Sequence, residues 1–230
     1  MKRVLFCLAM LLTVLRARAA DDWQSALATM PLDMPERVID RTNVLHVLLP
    51  AFQSNNIVKA FILMPGATDE FFFFRRALIR LTNAAPTLLD AVNAITNQTA
   101  IKVTFHPPLL LLHTDEDPLD VLSVIKDQKT ADKIQRAPFE SHAVYVDRDW
   151  DSLLPILKKA YHVQFLPERH SKHSWHFYRH SLAAWNLTGF EALQAIAYAG
   201  KTKYVVERKK VVFDGDDRIR IRPKFDHFPE

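Results

Sequence analysis

The stretch Thr87-Leu88-Leu89-Asp90-Ala91-Val92-Asn93-Ala94-Ile95-Thr96-Asn97-Gln98 decides how this chain folds, because it carries its own start, stripe and stop, and because it returns. Thr87 can cap a helix whose first turn holds Asp90, and Leu88, Ala91, Val92 and Ile95 fall at i, i+3, i+4 and i+7, one apolar stripe of an amphipathic helix. Asn97 and Gln98 end it. Ile101-Lys102-Val103-Thr104-Phe105 then alternates as a half-buried strand, and Pro107-Pro108 turns into the apolar run Leu109–Leu112.

The same order comes back near the C-terminus. Thr188-Gly189-Phe190-Glu191 is a capping box, Ala192, Leu193 and Ile196 form the stripe, Gly200 is the stop, and Lys203–Val206 and Val211–Phe213 read as paired strands. Thr87 and Thr188 stand 101 positions apart (188 − 87), and at that offset no gap is needed. Ala91, Ala94, Ile95 and Lys102 meet Ala192, Ala195, Ile196 and Lys203, while Asp90, Val92 and Asn93 meet Glu191, Leu193 and Gln194. This is the pattern of an internal duplication, so residues 87–112 and 188–213 are expected to superpose. A third, weaker copy is expected between them: strand Ala143–Val146, cap Asp149, apolar Leu153, Leu154 and Leu157, then strand Val163–Leu166. Pro155 requires that helix to start near Ser152 or to kink.

Working outward, Ile57–Met64 reads as a buried strand closed by a turn over residues 65–69, with a hairpin back through Phe71–Leu81. Phe71 to Phe74 place aromatic rings on both faces of that strand, which suits core packing; the competing reading makes Phe71 and Phe73 an exposed docking face. The expected fold class is α+β: duplicated strand-helix-strand-strand units forming small mixed sheets covered by short helices. The expected organisation is a lead-in over 21–56 with a helical turn around Trp23–Leu27, a first subdomain over 57–113, a charged linker over 114–142 and a second subdomain over 143–230.

Residues 1–20 carry the marks of a cleavable secretory signal peptide: Lys2 and Arg3, an apolar run from Val4 to Leu15 too short to span a bilayer, and Ala17-Arg18-Ala19 as a small-x-small cleavage site. The exported chain is then expected to begin at Ala20 or Asp21. Of 30 basic residues, Lys2, Arg3, Arg16 and Arg18 lie in this segment, leaving 26 against 26 acidic ones. The +4 charge of the full chain disappears, and with it the electrostatic case for a nucleic-acid partner. Cys7 is the only cysteine, so the exported chain would have no thiol for a disulfide, metal site or nucleophile.

Four of ten histidines crowd into His170–His180, where His173, His176 and His180 share a helical face, and His176, Tyr178 and His180 share a strand face. Arg169, Lys172 and Arg179 repel a cation there, so the cluster is expected to be a solvated loop leading into a strand, holding no tight metal and gaining charge together below about pH 6. Zinc or copper on His173, His176 and His180 is the competing reading. Trp175 and Tyr178 are candidate binding residues. Pro108 to Asp117 resembles the acid-bearing strand of an α/β-hydrolase, yet no G-x-S-x-G nucleophile turn exists. Asp214-Gly215-Asp216-Asp217 is expected to be a hairpin turn rather than a calcium loop, which would need wider spacing and a closing Glu. Asn97 and Asn186 open glycosylation sequons, relevant in a eukaryotic secretory pathway.

The unit Thr188-x-x-Glu191-Ala192-Leu193-x-x-Ile196, then glycine, Lys-Tyr-Val-Val and Val-Val-Phe, resembles the short N-terminal domains of secretins and TonB-dependent receptors, small periplasmic βαβ modules that bind proteins or pack into rings. The resemblance implies an interaction module and carries over no catalytic residue. The functional expectation is therefore a non-catalytic periplasmic or secreted module with no cofactor, whose partner is another envelope or secreted protein or a cell-wall polymer. The alternative is a hydrolase or metal-dependent enzyme built on the His170–His180 cluster.

Overall fold

The computed structural model describes residues 23–34, 36–40, 43–48, 57–64, 78–114, 123–137, 142–148, 150–167 and 180–215. The deciding stretch forms helix α3 (Leu88–Gln98), with Thr87 as its N-cap: the Thr87 hydroxyl accepts from the Asp90 N–H, and the Asp90 carboxylate accepts from the Thr87 N–H at 2.7 Å. Its repeat forms α6 (Gly189–Ala199), capped reciprocally by Thr188 and Glu191, whose carboxylate accepts from the Thr188 N–H at 2.7 Å. Loss of either threonine hydroxyl, in Thr87→Ala or Thr188→Ala, is expected to cost about 1 kcal/mol, read from the denaturant midpoint. Hydrogen bonds from the Thr87 backbone and then its side chain hold the Asp90 carboxyl below its usual range. A carboxylate with a lowered folded-state pKa contributes stability above its unfolded pKa and loses it as pH falls through the folded value. Asp90→Asn should therefore flatten the acid limb of the stability profile without affecting its neutral plateau's pH slope.

Each helix feeds a hairpin. After α3 come β4 (Lys102–His106) and β5 (Leu109–His113); after α6 come β10 (Thr202–Glu207) and β11 (Lys210–Gly215). The pairing is antiparallel in both, and every pair from Lys102↔His113 to His106↔Leu109 has a counterpart from Lys203↔Asp214 to Glu207↔Lys210, both partners shifted by the same offset. Asp214 and Gly215 thus belong to the end of β11, while Asp216 and Asp217 of the expected turn lie outside the described residues. The glycine stop is also displaced by one residue: Gly200 has φ −101°, and the left-handed position belongs to Lys201, φ 48°.

The duplication extends well beyond the two matching stretches. The first repeat runs α1 (23–28), β1 (Val38–Ile39), α2 (Val44–Leu48), β2 (Ala60–Leu63), β3 (Ile79–Arg80), α3, β4, β5. After a short strand β6 (Ser123–Ile125), the second runs α4 (Gln128–Arg136), β7 (His142–Arg148), α5 (Trp150–Tyr161), β8 (Gln164–Pro167), β9 (His180–Trp185), α6, β10, β11. Within each repeat the pairings agree: β1 with β3 and β7 with β9 antiparallel, β2 with β5 and β8 with β11 parallel. The expected third copy is the leading half of the second repeat, and Pro155 lies inside α5 beyond its first turn, so the helix does not wait until Ser152.

Three expectations are corrected. No hairpin joins β2 to β3: β2 has β5 on one side and β9 on the other, so β3 pairs with β1 instead. The stretch 114–142 is not a bare linker, since it contains β6 and α4; Asp127 caps α4 and Ala131 and Ile134 are its buried stripe. Nor do the sheets separate 57–113 from 143–230. The five-stranded sheet β4-β5-β2-β9-β7 takes strands from both repeats, joined where Ala60 to Leu63 of β2 meet Ala184 to Ser181 of β9.

That sheet divides two cores. Ala60, Ile62, Leu109, Leu111, Leu182 and Ala184 face one core, and Phe61, Leu63, Leu110, Leu112 and Ala183 face the other. This is why 109–112 reads as unbroken leucine: with both faces covered, alternation has no polar side to report. Helix α6 fills the space between the five-stranded sheet and the four-stranded sheet β6-β10-β11-β8, touching β2, β5, β9 and β10, and eight of its eleven residues are buried. The first repeat's α3 has a narrower buried stripe of Leu88, Ala91, Val92 and Ile95.

Candidate interaction edges

A strand that ends a sheet exposes main-chain donors and acceptors that can accept another strand, and proteins ordinarily cover or charge such edges. In the four-stranded sheet β6 is outermost, running parallel to β10 with Val124 opposite Val205 and Ile125 opposite Val206. All three residues of β6 are exposed, Val124 and Ile125 by 47% each. The Lys126 N–H donates to the Val206 carbonyl at 2.9 Å. Strand alternation then aims Val124 at β10 and the Ile125 N–H and carbonyl outward. No strand pairs with this side among the described residues.

The edge is held firmly from behind. Tyr204 shares a hydrogen bond with the Ser123 hydroxyl, and burial pushes its own hydroxyl above the usual tyrosine range. The Asp127 carboxylate caps α4 by accepting from the Thr130 N–H at 2.9 Å, and this bonding with Thr130 holds its pKa low. Thr130 in turn accepts from the Lys209 N–H in the β10–β11 turn at 2.9 Å. Glu207 bridges Lys210 at 2.8 Å and Lys126 at 3.1 Å, and these two ammonium groups hold its carboxyl below its usual range. The edge therefore combines two β-branched apolar side chains with an outward main-chain pair on a strand anchored to a hairpin and a capped helix. It can take an extended segment.

Phe71, Phe73, His173, His176, Trp175 and Tyr178 fall outside the described residues. His180 opens β9, its backbone opposite Arg148. Among the described residues no three His, Cys, Asp or Glu side chains gather as a metal site, and no helix is long and apolar enough to cross a membrane. The sequence did mark the β6 edge faintly, through Val124-Ile125 followed by the cap pattern Asp127-x-x-Thr130 within a charged stretch. Compared with family models, curated proteins and solved structures, the chain matches none.

Proposed function

We propose that this chain is a non-catalytic exported interaction module that binds an extended segment of another envelope or secreted protein by strand addition on β6. The observation that carries the reading is the exposed apolar edge at Val124 and Ile125 on a strand whose outward side is unpaired among the described residues. Main-chain groups recognise a polypeptide through the same hydrogen bonds that build a sheet, which favours a protein over a cell-wall polymer. The likeness to secretin and TonB-dependent receptor N-terminal modules is part of the proposal, supported by a capped helix leading into a hairpin, twice in one chain. Export rests on residues 1–20, and intact mass of the secreted protein starting at Ala20 or Asp21 is its check.

The binding test uses Ile125→Pro. Proline there removes the outward N–H and leaves the bonds that Val124 and Lys126 direct to β10. A partner identified by pull-down from envelope extract with the mature protein should lose at least tenfold in affinity for the variant, with unchanged circular dichroism. Equal affinity would place the binding surface elsewhere.

A further inference from the structure

The two repeats differ at one edge, and a side chain of the first repeat marks the difference. In the second repeat, β9 is paired with β7 on one side and gives its other side to β2 of the first repeat. The counterpart of β9 is β3 and the counterpart of β2 is β8. Among the described residues β3 pairs only with β1, and β8 only with β11, so both halves of the homologous contact are left over. The Leu81 N–H donates to the Arg37 carbonyl at 2.9 Å across the β1–β3 pair, so alternation turns the Arg80 N–H and carbonyl to the outer side. There the Gln98 side chain meets both: its Nε2 donates to the Arg80 carbonyl at 2.9 Å and its Oε1 accepts from the Arg80 N–H at 3.1 Å. Ser181, the counterpart of Arg80 at the 101-residue offset, stands opposite Leu63 of β2. The counterpart of Gln98 is Ala199, too short to reach any edge.

We infer that the outer edge of β3 is a docking surface for the β8 edge of a second copy of this chain, held shut by the Gln98 amide standing in for one residue of the neighbouring strand. The occupant follows from the molecule itself, whose second repeat already docks an edge of this kind antiparallel onto an edge of that kind. Because β3 and β8 are different surfaces, pairing them between copies is head-to-tail and builds rings or open chains according to the rotation between copies. A duplicated chain that left both open would be set to form such assemblies, and a side-chain cover on one edge is enough to prevent it.

The experiment is sedimentation velocity on the mature chain over a wide concentration range. Wild type should stay monomeric. Gln98→Ala, which copies position 199, should at least double its weight-average mass as concentration rises, with unchanged far-UV circular dichroism. Adding Arg80→Pro removes the outward N–H of β3 while leaving the bonds that Ile79 and Leu81 direct to β1, and should return the Gln98→Ala chain to wild-type mass. Should Gln98→Ala lose its fold, Gln98→Met keeps the helix end without the amide and is read the same way. A Gln98 variant that folds and remains monomeric, association that Arg80→Pro leaves untouched, or a wild type that already associates equally would each overturn the inference.

Discussion

Gly189→Ala is expected to destabilise the chain by about 2–3 kcal/mol, far more than a change of one methyl group at a helix start ordinarily costs. A Cβ at this position would overlap the Ile134 carbonyl oxygen and crowd the Tyr161 ring. The obstacle is backbone, at the C-terminal end of α4, so it cannot rotate away as a side chain would. Ile134 is fully buried and α4 carries the turn that holds β6, so retreat of α4 would also disturb the candidate edge. In the first repeat the same position is Leu88, whose N–H donates to the Met30 carbonyl at 2.8 Å. The duplicated unit tolerates a side chain there; the approach of α4 is what demands glycine. Urea denaturation of Gly189→Ala beside Leu88→Gly distinguishes a steric clash from loss of helix propensity. If Gly189→Ala matched wild type, the close approach of α4 to α6 would be wrong.

Phe61→Ala is expected to cost about 3–5 kcal/mol and Leu111→Ala about 2–5 kcal/mol, each enough to unfold a marginal domain. Both side chains are fully buried, Phe61 in the core on one face of the five-stranded sheet and Leu111 in the core on the other. The sharper expectation concerns cooperativity. Since β2 and β5 of the first repeat and β9 of the second share one sheet, and each contributes to both cores, neither repeat can open alone without exposing the partner's apolar face. Both variants and wild type should therefore show one transition, coincident by tryptophan fluorescence and far-UV circular dichroism. Two separated transitions, one sensitive only to Phe61→Ala and the other only to Leu111→Ala, would show the cores to be independent.

Much of this architecture is written locally. The threonine caps and the apolar stripes were legible because a cap needs only a hydroxyl three residues from a carboxylate, and a stripe needs only the 3.6-residue period. The equal spacing of the two stretches made the duplication visible. Its full extent was not, because outside 87–112 and 188–213 the repeats drift apart in length between β2 and α3 and between β8 and α6, and α1 and α4 share placement rather than residues. The candidate edge was masked by its setting, three strand residues inside a charged stretch that composition assigns to a linker.

The sequence by itself determined the repeated unit: a capped helix, the strands that follow it, and the unbroken apolar run Leu109 to Leu112. Tertiary structure alone decided which edges meet. A strand's main-chain donors and acceptors are nearly the same at every residue, so nothing local marks β2 for β9, leaves β6 outermost, or distinguishes the β3 edge from the β9 edge. The β3 edge differs because Gln98 reaches Arg80 where its counterpart Ala199 is buried in the core, and the need for glycine at 189 comes from the approach of Ile134 that only the packed chain brings about.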